Sequence, residues 1–173
     1  WNFDNVSAIG ENNTHVVDVA SSGGNNNGSC SGTSCPSWNA TGKYGGAFEF
    51  DGSGDYFNLG NPPPLQITGA ITVSAWVKFD SNQDEYIISK NGNSRGWDLE
   101  TNTGATYSTV NFRIFDSDSN VYNSGHSQEL TNNEWYYLVG VYNPTTSINL
   151  YINGILSTYN HTGIPASQRD SSN

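Results

Sequence analysis

Ala70-Ile71-Thr72-Val73-Ser74-Ala75-Trp76-Val77-Lys78-Phe79-Asp80 is the stretch that decides the fold class. Val73, Ala75, Val77 and Phe79 alternate with Thr72, Ser74, Trp76 and Lys78, and a period of two puts the two sets on opposite faces of a strand. β-branched and aromatic residues dominate, and Gly69 and the Asp80-Ser81-Asn82 run bound the segment. We read it as a central strand with one face in a core. Trp76 lies on the more polar face, so that face is expected to be partly covered as well.

Working outward, the same alternation recurs. Trp135–Tyr142 (WYYLVGVY) is the second strong strand, and Val110–Phe115 (VNFRIF), Glu85–Lys90 and Trp97–Thr101 are further ones. Ile148–Ile152 and Ile155–Thr158 flank Asn153-Gly154, a dipeptide suited to a type I′ hairpin because both positions need positive φ. Upstream, Trp1–Asp4 reads as the end of a strand, Thr14–Val19 and Ala47–Asp51 read as short strands, and Asp55–Leu59 runs on after a turn. Pro62 to Pro64 stop any ladder there, since proline has no backbone donor. Ser21–Gly46 is rich in Gly, Asn and Ser and reads as a long loop. Helical periodicity is absent, and strands separated by turn signals imply an all-β antiparallel sandwich or jelly roll.

A chain of 173 residues fits one domain. With 6 Lys and Arg against 16 Asp and Glu, the net charge is −10. Phosphate backbones and anionic membrane surfaces would be repelled, which argues against nucleic acid and membrane surfaces as partners; no membrane insertion by this segment is expected. Neutral sugars, cations and basic partners are permitted. Only 13% of residues are charged, so Asn, Ser, Thr and Gly must cover the surface, a pattern suited to a secreted or cell-surface protein. No apolar run reaches the length of a membrane helix. The chain holds no Met, which suggests a processed chain or a piece of a longer one.

Cys30 and Cys35 sit in CSGTSC. They can close a small loop as a disulfide, which would pin a flexible segment modestly and imply an oxidising compartment. A zinc pair is the alternative, but no His or further Cys stands nearby to complete the set. Five Asn-X-Ser/Thr triplets, at Asn5, Asn12, Asn27, Asn39 and Asn160, are candidate N-glycosylation acceptors.

Taken in order, WNFD, VVDVASSGGNNNG, GKYGGAFEFDGSGDYFNLG, ITVSAWVKF, IISK and NEWYYLVGVYNPTTSINLYINGIL resemble the laminin G-like domains of the concanavalin A-like lectin/glucanase jelly rolls, in the subgroup of microbial surface proteins. The resemblance covers about Trp1 to Leu156. It implies two antiparallel sheets and a module that binds glycans or proteins, or builds a surface assembly with copies of itself. It also implies a structural calcium ion. By the same resemblance, two strands should follow the Asn153-Gly154 hairpin, the last pairing with the opening strand. The residues after Leu156 contain no such run, so we expect a single jelly-roll domain lacking its last strand or strands and part of its first.

Glucanases of this fold carry Glu-x-Asp-x-x-Glu, whose carboxylates act as nucleophile and acid. Glu49-Phe50-Asp51-Gly52-Ser53-Gly54 is the nearest approach, and its last position is Gly. His15, His126 and His161 have no nucleophile context. We therefore expect no catalysis. For calcium, which takes roughly six to eight oxygens, Asp18, Asn25 and Asn27 in the Gly-rich loop are the candidates, with Asp51. Asp116-Ser117-Asp118-Ser119-Asn120 reads as a polar turn. Sugar binding requires aromatic faces beside amide and charged hydrogen-bonders, for which Trp97, Asn111, Arg113, Tyr122 and Trp135 are the candidates. The expected function is a non-catalytic extracellular adhesion or structural module, of a pilus or filament for example. The alternative is a calcium-dependent carbohydrate-binding module, and a glycoside hydrolase ranks below both.

Overall fold

A computed structural model describes residues 1–20, 26–80, 84–90, 96–103, 108–125 and 127–169. The chain divides into two compact units, Trp1–Gln66 and Ile67–Asn173. Among the described residues no α-helix occurs, and single 3-10 turns stand at Ser7–Ile9, Gly32–Ser34 and Pro63–Leu65.

The first unit contains short strands: β1 (His15–Val16), β2 (Gly28–Ser29), β3 (Ser37–Asn39) and β4 (Ala47–Glu49). β1 pairs with β2 and β3 with β4, both antiparallel. Ladders this short fix little, and side chains supply the rest. Phe3, Phe48, Phe50 and Phe57 form an aromatic cluster with centroids 4.8 to 6.4 Å apart. Glu11, 2% exposed, accepts the backbone N–H groups of Val6 and Val17. The Trp38 indole donates to the Phe3 carbonyl. The Asp4 carboxylate accepts from Gly46 N–H. Cys30 and Cys35 are bonded as a disulfide. Three sequence expectations change here. Trp1–Asp4 is not a strand, Asp55–Leu59 contributes only a bridge from Asn58 to Ser29, and the described part of the long loop carries β2 and β3. Gly- and Asn-rich sequence hides such strands because two or three residues show no period.

The second unit is a two-sheet antiparallel sandwich. One sheet has the order β12-β11-β10-β5 and the other β6-β7-β8-β9. The strands are β5 (Ile71–Lys78), β6 (Tyr86–Ser89), β7 (Gly96–Thr103), β8 (Ser108–Phe115), β9 (Val121–Asn123), β10 (Trp135–Asn143), β11 (Ser147–Ile152) and β12 (Ile155–Asn160). The inward residues are those the alternation selects. Val73 comes from β5, Trp97 and Leu99 from β7, and Val110, Phe112 and Ile114 from β8. Leu138 and Tyr142 on β10 join Ile148, Leu150 and Ile152 on β11 in one cluster. Burial of each such side chain stabilises by about 1.5–3 kcal/mol. Gly140 lies opposite Val73 and Leu150, and the Phe112 ring of the facing sheet fills the space a side chain would take. Asn153 and Gly154 have φ of 52° and 82°, so β11 and β12 are joined as the dipeptide predicts.

β5 stands at one end of its sheet's order, not in the centre. Its central appearance came from the covering of both faces. The inner face joins the core, and on the outer face Trp76 lies against Tyr137 of β10, 5.2 Å between centroids. Beyond β12, Gln168 N–H bonds to the Thr68 carbonyl and Arg169 N–H to the Phe115 carbonyl.

Candidate binding cleft

The non-core face of the second sheet is the polar one. Along β7, Trp97, Leu99 and Thr101 alternate with Asp98, Glu100 and Asn102. Along β8, Val110, Phe112 and Ile114 alternate with Asn111, Arg113 and Phe115. Register places Asp98 opposite Arg113 and Glu100 opposite Asn111. Arg113 grips Asp98 with two parallel bonds, Nε to Oδ1 at 2.8 Å and Nη2 to Oδ2 at 2.9 Å. Its Nη2 also contacts Glu100 Oε2. Such forked charge-assisted pairs are the strong ones. The guanidinium lies 6.0 Å from the Tyr86 ring and 5.5 Å from the Phe115 ring, so it is held from the sides as well.

This face is far less exposed than its polarity suggests. Asp98 is 0%, Asn111 3% and Glu100 7% exposed. Burial pushes the Glu100 carboxyl above its usual range, and the Asp98 charge adds to the push, against the Asn102 hydrogen bond and the pull of Arg113. Asn111 Oδ1 accepts a hydrogen bond from the Ser124 hydroxyl at 3.4 Å. At the β6 end the face opens into a cleft of about 210 Å³ lined by Asp84, Glu85, Tyr86, Glu100, Thr101, Asn102 and Arg113. Thr101 fixes its wall, since its backbone N–H and its hydroxyl both bond the Glu85 carbonyl. Tyr86 offers an exposed ring. One aromatic face beside carboxylate, amide and guanidinium groups can hold a hydroxyl-rich ligand.

The sequence candidates are dispersed. Asn111 and Arg113 belong to this face, and only Arg113 lines the cleft. Trp97 turns into the core at 8% exposure and presents no ring to a ligand. Tyr122 packs against the core and its hydroxyl donates to Asp116. Trp135 is on the outer face of the other sheet, with Lys78 Nζ 5.5 Å from its ring. Asp84, Glu85, Tyr86, Glu100 and Asn102 escaped sequence reading. For Glu100 and Asn102 the signal is faint, polar residues at alternate positions of Trp97–Asn102 facing those of Val110–Phe115; Asp84, Glu85 and Tyr86 carried none.

Asn25 and His126 lie outside the described residues. Asp18 accepts from Ala20 N–H and from the Asn26 amide, and Asn27 Oδ1 accepts Asp18 N–H. The Ala20 bond leads in holding the Asp18 carboxyl below its usual range. Asn26 Oδ1 is buried and meets no donor among the described residues, so the carboxylate and this oxygen fit a hard cation. Asp51 serves its own turn by accepting Ser53 N–H. Glu49 accepts from the Asn39 amide. Among the described residues no group of three or more His, Cys, Asp or Glu gathers. Asp116 braces its turn through Asp118 N–H and Asn120 N–H. At Asn12, Asn39 and Asn160 the side-chain oxygen accepts the N–H of the triplet's own Thr.

Residues 51–173 match the family model described as concanavalin A-like lectin/glucanases superfamily. Among solved structures, the binding domain of Paraclostridial Mosquitocidal Protein 1 is similar at a TM-score of 0.62 and 13% identity, over 93% of this chain and 38% of that one. The receptor-binding domain of botulinum neurotoxin mosaic serotype C/D gives 0.48 and 21%, over 62% of this chain and 28% of that one. The chain therefore spans well under half the length of these structures. No curated protein sequence matches it.

Proposed function

Because the chain belongs to the concanavalin A-like lectin/glucanase superfamily, we propose that it is a non-catalytic, carbohydrate-binding module of a secreted or cell-surface protein, with its ligand in the β6–β8 cleft. The observation that carries this reading is the Arg113 clamp. A glycosidase needs two carboxyl groups free to act as acid and as nucleophile or base. Here Asp98 and Glu100 are both held by one guanidinium, an arrangement suited to orienting a ligand. Tyr86 supplies a stacking face, and Glu85, Asn102 and Arg113 supply hydrogen bonds to hydroxyl groups. A net charge of −10 favours neutral glycans over anionic ones. The Cys30–Cys35 disulfide fits an oxidising compartment. The similar paraclostridial domain is described as a binding domain, which accords with this role and specifies no ligand here. Within the same reading, Asp18 and Asn26 would hold a calcium ion in their loop.

A glycan array followed by calorimetry tests the proposal. Binding of a neutral glycan is expected, lost in Tyr86→Ala while the variant keeps a cooperative melting transition. Absence of binding at millimolar glycan refutes it. Hydrolysis of a β-glucan that disappears in Glu100→Gln would make the chain an enzyme instead.

A further inference from the structure

β12 ends its sheet, and among the described residues no backbone partner lies beyond it. Folded proteins usually protect such an edge with charge, proline or brevity. β12 has none of these: Ile155-Leu156-Ser157-Thr158-Tyr159-Asn160 is six residues long and holds no charged residue or proline. Ile155 is 74%, Leu156 45% and Tyr159 58% exposed. Of the other devices that guard an edge it shows a register shift against β11 at Leu150/Tyr151. The neutrality extends further, since no Asp, Glu, Lys or Arg occurs between Trp135 and Gln168. β10, β11 and β12 therefore present an uncharged surface in a chain whose net charge is −10.

We propose that β12 is a self-association edge, where a second copy of this chain adds its own β12 antiparallel to form one continuous sheet. The charge distribution selects this occupant. Two copies carrying the same large negative charge repel each other, and this is an extended strand edge free of that charge. An antiparallel strand pair is self-complementary about a two-fold axis, so a single edge is sufficient. Leu156 pairs with Tyr151, and Tyr159 with Asn149. Both therefore project from the outer face, where they would pack beside their counterparts across the axis. Thr158 is tied inward by its bond to the Gly125 carbonyl, which keeps the strand extended. The inference does not depend on the carbohydrate reading.

Sedimentation of the full chain, free of glycan at Asn160, tests it alongside amide hydrogen exchange across a concentration series. We expect a reversible dimer, with exchange in Ile155–Asn160 slowing as concentration rises. Leu156→Glu and Tyr159→Glu, at exposed positions, should each raise the dimer dissociation constant on the order of tenfold, because each puts a charge into the apolar contact across the axis. A monomer at every concentration overturns the proposal. So does a dimer whose β12 exchange is independent of concentration or that both Glu variants leave intact.

Discussion

Replacing Arg113 by Met tests how the polar face is held. Methionine keeps much of the aliphatic volume and removes the guanidinium from Asp98, which is 0% exposed. Breaking a buried ion pair from one side costs about 3–5 kcal/mol, because the remaining charge keeps its desolvation penalty. The arginine side chain is itself 23% exposed, which places the cost near the lower end, about 3 kcal/mol. For a chain of this size that is a fall in melting temperature of roughly 6–12 °C. Thermal and urea unfolding of Arg113→Met measure it. Asp98→Asn in the same background should then recover part of the loss, since one of the two stranded carboxylates is gone. A loss below about 1 kcal/mol, or an Asp98→Asn cost that simply adds to the first, would refute the clamp.

Four further outcomes follow from the geometry. Gly140→Ala should destabilise by about 1–3 kcal/mol through overpacking, because its Cβ would meet Phe112 Cγ at 2.5 Å; Phe112→Leu in that background should relieve part of the cost, and an unchanged urea midpoint would contradict the contact. Glu100 has a raised folded pKa, so its contribution is fullest below its unfolded value and is lost as pH rises through the folded one. Glu100→Gln should therefore gain stability relative to the parent as pH goes from about 4 to about 7, and a flat difference would count against this. Cys30→Ser with Cys35→Ser opens a short loop and should cost about 2 kcal/mol on the chain-entropy estimate, read as earlier unfolding of the first unit. Excess chelator should lower the melting temperature if a cation occupies the Asp18 and Asn26 loop, since an ion bound only by the native state stabilises by mass action; an unchanged transition, with no metal by elemental analysis, ends that idea.

The second unit was readable because its strands run up to nine residues, long enough for alternation to show. Trp135–Tyr142, Val110–Phe115 and the Asn153-Gly154 turn were each placed from the pattern alone. β9, with three residues, left no period to detect. Of the cleft's lining only Arg113 was legible, for a different reason. Arg113 and Asn111 stood out as polar residues within an apolar run. Tyr86 and Glu100 become site residues only once register sets β6, β7 and β8 side by side, and register is a tertiary fact. Trp97 misled because a tryptophan next to polar residues looks like a platform, whereas alternation with Asp98 sends it inward.

The two units differ in what resists their opening. In the second, ladders of six to eight pairs join β10 to β5 and β11, and β7 to β8, so the amides inside them exchange only when much of a sheet comes apart. The first has ladders of two or three residues and relies on discrete fasteners: the Glu11 carboxylate, the Asp4–Gly46 bond, the disulfide and four phenylalanines. Apart from the covalent disulfide, fasteners of that kind release one at a time. Trp1–Gln66 should therefore exchange and be cleaved through small local openings, while the inner strands of the sandwich should yield only by cooperative unfolding.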